Sequence, residues 1–266
     1  MKLELFFVAH PVFTIKDLKS FLGISNVTST FYNLLQYHQK KKHILLIRRG
    51  IYAVIPKGTQ GTMIVDSYLI TSKLKDDSIL AYQTALALHG KSHTMVNRFY
   101  YLTFARPEKN FEFQGNVYKA VSIPSNLKKS NVGVIQINRM GLNISLTSLE
   151  RTFVDILDRP YLCLSWEEIS RSIENIEFLD SEAVLQYTFL IGNRTTVAIV
   201  GFFLDMYREK WMIPLDHLKK LKRICPNKPV YLKRSLKGPQ KLISSWNLIV
   251  PQKILEKKWE EPHEDI

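Results

Sequence analysis

Apolar positions recur at helical spacing near the start of the chain. One stripe is formed by Val27, Phe31, Leu34, Leu35 and His38. This spacing predicts a helix with one face in the core, and we expect Ser25 or Asn26 to cap its start. An earlier helix is predicted to begin at Thr14, whose spacing to Asp17 is that of a capping box, and to end at Gly23, a residue suited to a left-handed helix end.

The pattern then changes to that of a β-hairpin. Apolar runs over residues 44–47 and 51–55 flank Arg48 and Arg49, and Gly50 allows the positive φ of a tight turn. Two short helices followed by a hairpin are typical of a winged helix-turn-helix, in which the second helix enters the major groove of DNA and the hairpin contacts the backbone. The sequence therefore predicts such a DNA-binding domain over residues 1–56.

The second predicted helix carries neutral polar side chains opposite its apolar stripe, with no carboxylate to repel phosphate. Asn and Gln can bond adenine in a bidentate way, and Lys and Arg neutralise phosphates. The residues expected at base edges are Thr28, Ser29, Tyr32, Asn33 and Gln36. Those expected at phosphates are Lys40, Lys41, Lys42, Arg48 and Arg49.

The rest of the chain is predicted to be a larger domain of class α+β. Residues 57–66 are expected to form a linker, residues 67–259 the domain and residues 260–266 a polar tail. Strand-like runs come first and helical patterns follow without βαβ alternation, which favours antiparallel strands and then helices. A helix is predicted after Ser78 and through Leu88. Strands are predicted over 99–104, 111–113, 117–121, 132–137 and 142–146, and helices over 148–157, 165–173, 180–190, 195–209 and 214–223.

Charge narrows the choice of partner. The 37 Lys and Arg exceed the 24 Asp and Glu, which gives a formal net charge of +13 and favours a polyanionic partner. Residues 1–56 carry eight basic and two acidic side chains, and residues 210–241 carry ten basic and one acidic. The second basic zone is open to two interpretations, a nucleic-acid or partner surface and a solvated face. Its candidate residues are Lys219, Lys220, Lys222, Arg223, Lys233 and Arg234.

Candidate catalytic chemistry is sparse. Glu150, Asp155 and Asp158 occur in one predicted helix, but a capping role for Glu150 and a local ion pair for Asp158 account for two of them. No metal-ligand spacing is present, and two distant Cys cannot form a four-ligand zinc site. We therefore expect no enzyme activity, no cofactor and no metal. The start of the chain is unlike a signal peptide and no apolar run could span a membrane, which predicts a cytoplasmic protein.

Three stretches give the sequence a family resemblance. They are ILLIRRGIYAV at 44–54, AYQTALALHG at 81–90 and LTSLERTFVDILD at 146–158. Together they resemble the AbiEi-type antitoxins of bacterial type IV toxin–antitoxin systems, which act in abortive infection, a form of phage defence. The stretch at 146–158 is similar to the family pattern T-x-x-E-R-T-L-V-D and is the most specific of the three.

The resemblance implies an N-terminal winged helix joined to a C-terminal antitoxin domain. It implies a transcriptional repressor that binds repeats in its own promoter, associates with the nucleoid when bound, and counters a nucleotidyltransferase-like toxin. Whether it contacts that toxin or acts on the toxin's target is left open. The alternatives are a nucleic-acid-processing enzyme with a winged-helix delivery domain and, less favoured by the residues, a ligand-sensing regulator.

Overall fold

The computed structural model describes residues 2–26, 28–59, 63–124, 127, 130–163, 165–233 and 238–257. The chain divides into two compact units. The first unit contains residues 1–80, 97–122 and 135–146, and the second unit contains residues 81–96, 123–134 and 147–266. The predicted linker at 57–66 falls inside the first unit, so the division into domains stays a prediction. The mixed α+β class is confirmed.

The first unit begins with a small helical and stranded segment. Its elements are α1 (Lys2–Ala9), β1 (Val12–Thr14), α2 (Ile15–Leu22), α3 (Ser29–Lys40), β2 (Ile44–Arg48) and β3 (Ile51–Val54). The strands form a sheet of order β1-β3-β2 with antiparallel pairing throughout. Its buried cluster draws at least one residue from each of these six elements, namely Phe6, Phe13, Leu18, Phe31, Leu35, Ile44 and Tyr52. The three helices therefore share one core with the sheet.

The helix ends show where local sequence signals acted. Thr14 and Asp17 form the predicted capping box, and Gly23 ends α2 in the left-handed region with φ of 66°. The predicted cap of the next helix was wrong: α3 begins at Ser29 and Thr28 caps it, with Thr28 Oγ1 accepting from Phe31 N at 3.4 Å. The reason is that Ile24 N bonds back to Lys19 O, so the chain is still closing α2 where the cap was expected. Val27 lies outside the described residues.

A second sheet completes the first unit. Its elements are α4 (Ser67–Lys73), β4 (Ile79–Leu80), β5 (Arg98–Thr103), β6 (Phe111–Phe113), β7 (Asn116–Ser122), β8 (Val134–Arg139) and β9 (Leu142–Thr147). The strand order is β6-β7-β5-β4-β9-β8. The expected antiparallel sheet was wrong for two pairs, because β5 runs parallel to β7 and β4 runs parallel to β9. Alternation of apolar residues shows which face of a strand is buried, and it carries no information about the direction of a neighbour.

The helix predicted after Ser78 starts later than expected. Ile79 and Leu80 are buried and form β4, which pairs with β5 and β9. Only residues Gln83–Leu88 form the helix, α5, and Tyr82 before it has a φ of 55°. The turn at Tyr82 separates β4 from α5. Both elements belong to one apolar run of the sequence, and the period of its apolar residues does not show where the strand ends and the helix begins.

The second unit is mainly helical. Besides α5 it contains α6 (Leu149–Asp158), α7 (Trp166–Glu174), α8 (Ser181–Ile191), α9 (Arg194–Met206), α10 (Leu215–Ile224) and α11 (Gln252–Glu256). The five helices predicted between residues 148 and 223 are confirmed within three residues at each end. A small sheet of order β10-β12-β11 is made from β10 (Val230–Tyr231), β11 (Gln240–Ile243) and β12 (Leu248–Pro251).

Candidate nucleic-acid interface

Helix α3 presents a polar, acid-free surface to solvent. Phe31 and Leu35 anchor it in the core, with exposed fractions of 3% and 2%. Tyr32 on the other side is 49% exposed. The remaining candidates for base edges, Thr28, Ser29, Asn33 and Gln36, are exposed as well. The structure therefore brings all five predicted residues to one accessible side of the helix.

Thr28 differs from the other four because its side chain also caps the helix. Its hydroxyl oxygen accepts from Phe31 N and so satisfies one of the amides left over at the start of the helix. A second hydrogen bond to a base would have to use the remaining lone pair or the hydroxyl proton. Thr28 therefore fixes where α3 begins, and Ser29, Asn33 and Gln36 keep their side chains available.

The end of α3 carries a cluster of cations. Lys40, Lys41 and Lys42 are exposed, and none of them forms an ion pair with any residue that the structure describes. The Lys41 amide closes the helix by donating to Tyr37 O at 3.0 Å, and Lys42 adopts a φ of 54°. Positive charge at this end is favoured by the helix dipole. The three amines thus remain available for an anion.

Two histidines beside this cluster were not predicted as site residues. His38 Nδ1 and His43 Nδ1 are 3.1 Å apart. Burial lowers the pKa of His38, and His43 acts in the same direction. In this contact one Nδ1 donates its proton and the other accepts it. In the sequence, His38 is only a histidine on the apolar stripe of a predicted helix, and such histidines are too common to identify a pair.

The hairpin places its two arginines differently. Strands β2 and β3 meet in a turn at Arg49 and Gly50, and Gly50 has a φ of 86°. Gly50 O accepts from Ile15 N at 2.9 Å, which holds the turn against the start of α2. Arg49 is exposed and forms no ion pair in the described part of the chain. Arg48 is half-buried and already has a partner.

That partner is a carboxylate far away in sequence. Arg48 Nη2 donates to Glu108 Oε2 at 2.8 Å, and the Arg48 guanidinium lies 5.5 Å from the ring centre of Phe111. Lys75 Nζ donates to the other carboxylate oxygen of Glu108. No sequence pattern connects Glu108 or Lys75 with the hairpin. Of the ten residues predicted to contact DNA, Arg48 is the one with an ion pair among the residues that the structure describes.

The second predicted surface, on α10 and after it, is partly occupied. Lys219 pairs with Asp216 at 3.3 Å, and Lys220 lies 3.9 Å from Glu182. Lys222 Nζ lies 5.0 Å from the ring centre of Trp246. Arg223 and Lys233 are exposed and unpaired as far as the structure describes the chain, and Arg234 lies outside the described residues. The zone therefore offers fewer unpaired cations than the sequence does.

Two of the carboxylates considered for catalysis, Asp155 and Asp158, have partners within the second unit. Asp155 is 6% exposed and accepts from Tyr187 Oη at 2.7 Å, with Arg151 Nε at 3.4 Å. Burial raises the pKa of Asp155 to about 6, although Arg151 and Tyr187 act in the opposite direction. Asp158 accepts from Asn193 Nδ2 at 3.2 Å. Among the described residues, no group of three or more His, Cys, Asp or Glu side chains is arranged to hold a metal ion.

The stretch at 146–158, the most specific part of the resemblance, forms a buried polar network. Thr147 and Thr152 share a hydrogen bond of 2.7 Å between their hydroxyls, and Arg151 Nη1 donates to Val132 O at 2.9 Å. All three side chains are at most 2% exposed. The network ties the start of α6 to neighbouring chain segments, so these residues support the second unit from inside.

Comparison with known proteins gives a likeness of fold. The crystal structure of the RV2827C protein from Mycobacterium tuberculosis is similar, with a TM-score of 0.63 and 16% sequence identity over 96% of this chain and 93% of that chain. No family model matches the sequence. No curated protein matches it either. None of the helices in the described ranges has both the length and the hydropathy needed to cross a lipid bilayer.

Proposed function

We propose that this protein is a DNA-binding autorepressor and antitoxin that binds duplex DNA through a winged helix formed by residues 1–56. The observation that carries the proposal is the exposed, acid-free face of α3 next to three unpaired lysines. A helix with that surface suits the major groove, where neutral polar side chains read base edges and cations bind the flanking phosphates.

The order of elements supports the same assignment. A winged helix needs a helix, a short strand, two further helices and a hairpin whose strands join the short strand in one sheet. The segment α1 to β3 has that order, and the antiparallel sheet β1-β3-β2 places the hairpin beside the start of α2. The hairpin is short, which favours a wing that grips the backbone with Arg49 over one that penetrates the minor groove.

The antitoxin part of the proposal rests on the family resemblance at residues 81–90 and 146–158. By that resemblance the second unit counters a nucleotidyltransferase-like toxin, by contact or by acting on the toxin's target, and the protein works in the bacterial cytoplasm at the nucleoid. No catalytic step is proposed, because Asp155 and Asp158 are engaged by side chains within the second unit.

The DNA-binding half is tested with a labelled duplex containing the DNA upstream of the protein's own gene. The wild type is expected to bind it in preference to a shuffled duplex, and the double variant Asn33→Ala/Gln36→Ala is expected to lose that preference. Gln186→Ala, at an exposed amide of the second unit outside the basic zone at 210–241, is the matched control and should bind as the wild type does. Equal binding of both duplexes by the wild type would contradict readout by α3.

The antitoxin half is tested by co-expression with the neighbouring open reading frame. The full chain should restore growth if that frame encodes a toxin. Growth arrest that persists with full-length protein present would contradict the antitoxin assignment and leave DNA binding to be judged on the first experiment.

A further inference from the structure

Two cations from separate elements converge on one carboxylate in the first unit. Arg48 closes β2, Lys75 follows α4, and each donates to a different oxygen of Glu108. The Arg48 and Lys75 side chains are part-buried, with exposed fractions of 30% and 25%, and the Glu108 side chain is exposed at 38%. A guanidinium and an ammonium arranged around one anion form the kind of pair that binds carboxylate and phosphate alike.

The surroundings hold this arrangement in place. Glu108 belongs to the exposed loop at 104–110, whose start is anchored by Asp77 through Phe104 N at 2.6 Å. The loop ends at Phe111, whose ring packs against Tyr118 with 5.4 Å between ring centres. Bonds from Lys75 and then Arg48 lower the pKa of Glu108, so its carboxylate stays charged at neutral pH. The anion site is therefore formed before any ligand arrives.

Three further cations lie next to Arg48 and Glu108 in the sequence. Arg49 lies beside Arg48 in the hairpin, and Arg106 and Lys109 flank Glu108 in its loop. All three are exposed and unpaired within the residues that the structure describes. Glu108 is the single acidic residue of the loop at 104–110. A polyanion approaching the hairpin would meet cations from both segments, with Glu108 among them and the carboxylates of Asp77 and Glu112 at the two ends of the loop.

We propose that Arg48 and Lys75 form a binding site for a backbone phosphate of duplex DNA, and that Glu108 occupies this site until a phosphate takes its place. The inference rests on the proposed function, and it extends the DNA-binding surface beyond the winged helix to Lys75, Arg106 and Lys109. The exchange of one anion for another explains how a half-buried, paired Arg48 can still contact DNA. By this competition Glu108 also lowers the affinity of the protein for any duplex.

The test measures dissociation constants for the upstream duplex and for a shuffled duplex at several salt concentrations. Glu108→Gln removes the competing charge, and Glu112→Gln is the matched control, since Glu112 is exposed, nearby and without a described ion pair. We expect Glu108→Gln to bind both duplexes about fivefold more tightly than the wild type, and Glu112→Gln to stay within about twofold of it. The gain should vanish in Arg48→Gln/Glu108→Gln.

A second variant tests the lysine independently. Lys75→Gln should weaken binding and reduce the slope of log affinity against log salt by about one, as expected for one lost phosphate contact. Lys57→Gln, a cation that is 90% exposed, is its control and should leave the slope unchanged. Thermal unfolding of each variant verifies that it is folded.

The outcomes separate the two proposals. The phosphate site is overturned if the wild type binds DNA but Glu108→Gln binds no more tightly than Glu112→Gln. It is also overturned if the affinity and salt dependence of Lys75→Gln equal those of the wild type. Either result leaves the proposed function standing. Binding by Glu108→Gln where the wild type binds weakly supports the site. If neither the wild type nor any variant binds any duplex, both the phosphate site and the proposed function are overturned.

Discussion

Gly201 in α9 and Trp246 approach so closely that no side chain fits between them. A Cβ atom on Gly201 would lie 2.1 Å from Cζ3 of Trp246, well inside van der Waals contact. Trp246 is 1% exposed, and its Nε1 donates to Asp205 Oδ2 at 3.0 Å, which restrains the indole. The small sheet at the end of the second unit is thus fitted to α9 at a position where only glycine is compatible.

Gly201→Ala should therefore destabilise the protein. We expect the free energy of unfolding to fall by about 3 kcal/mol, because the indole has to move and overpacked cores lose energy of that order. Urea denaturation followed by tryptophan fluorescence measures the change. A loss below about 0.5 kcal/mol would contradict the close packing of Gly201 on Trp246.

Asp17 should contribute stability that depends on pH. Its carboxylate accepts from Thr14 N at 2.8 Å and Lys73 Nζ at 2.9 Å. Burial opposes ionisation, but the bonds from Lys73 and Thr14 prevail and lower the pKa of Asp17. The stabilisation is therefore present above pH 4 or so and is lost as the pH falls through the lowered pKa. Asp17→Asn should cost about 1–2 kcal/mol at pH 7 and less at pH 3.

Asp76→Asn is the matched control for Asp17→Asn. Asp76 also pairs with a lysine, Lys16, but the two side chains are 77% and 72% exposed. Exposed pairs contribute little, so the loss should stay below about 0.5 kcal/mol. Equal losses in the two variants at pH 7 would show that the capping box has no special weight.

Asp155 should act with the opposite sign. Its pKa is raised to about 6 by burial, so the folded protein binds this proton more tightly than the unfolded chain does. The contribution is present below pH 4 or so and is lost as the pH rises through 6. Asp155→Asn should remove this part of the pH dependence between pH 4 and 6, as measured by thermal unfolding. Asp216→Asn, at an exposed carboxylate, should leave the profile unchanged.

Thr28 and Ser29 should separate helix capping from DNA contact. Thr28→Ala should lower the free energy of unfolding by about 1 kcal/mol, because it removes the side-chain acceptor for Phe31 N. Ser29→Ala should leave stability within about 0.5 kcal/mol, since Ser29 is an exposed first residue of α3. Chemical denaturation measures the free energy of unfolding of both variants. A larger loss in Ser29→Ala than in Thr28→Ala would contradict the assignment of Thr28 as the helix cap.

The features that could be predicted from sequence are local ones. The capping box at Thr14, the left-handed Gly23 and the helices between 148 and 223 depend on neighbours within a few residues, and the structure has them. The start of α3 was displaced because Ser25, Asn26 and Thr28 are all good caps, and only the closure of α2 chooses among them. The exposed face of α3 could also be predicted, because it follows from helical spacing between nearby residues.

Relationships across long sequence distances could not be predicted. The pairing of β4 with β9 and the contact of Arg48 with Glu108 join residues about 60 positions apart, and no spacing rule reaches so far. The same holds for Gly201 and Trp246, which a helical pattern treats as an ordinary small residue and a distant aromatic. What the fold adds to the candidate interface is therefore its electrostatic surroundings, namely Lys75 and Glu108.

The salt dependence of DNA binding tests the central claim most directly. The measurement compares the wild type with Lys40→Gln/Lys41→Gln/Lys42→Gln on the upstream duplex between about 50 and 200 mM salt. The account predicts steep salt dependence for the wild type and a slope smaller by about 2–3 in the triple variant, because up to three phosphate contacts are lost. Binding that is absent at low salt, or a slope that the triple variant leaves unchanged, would contradict it.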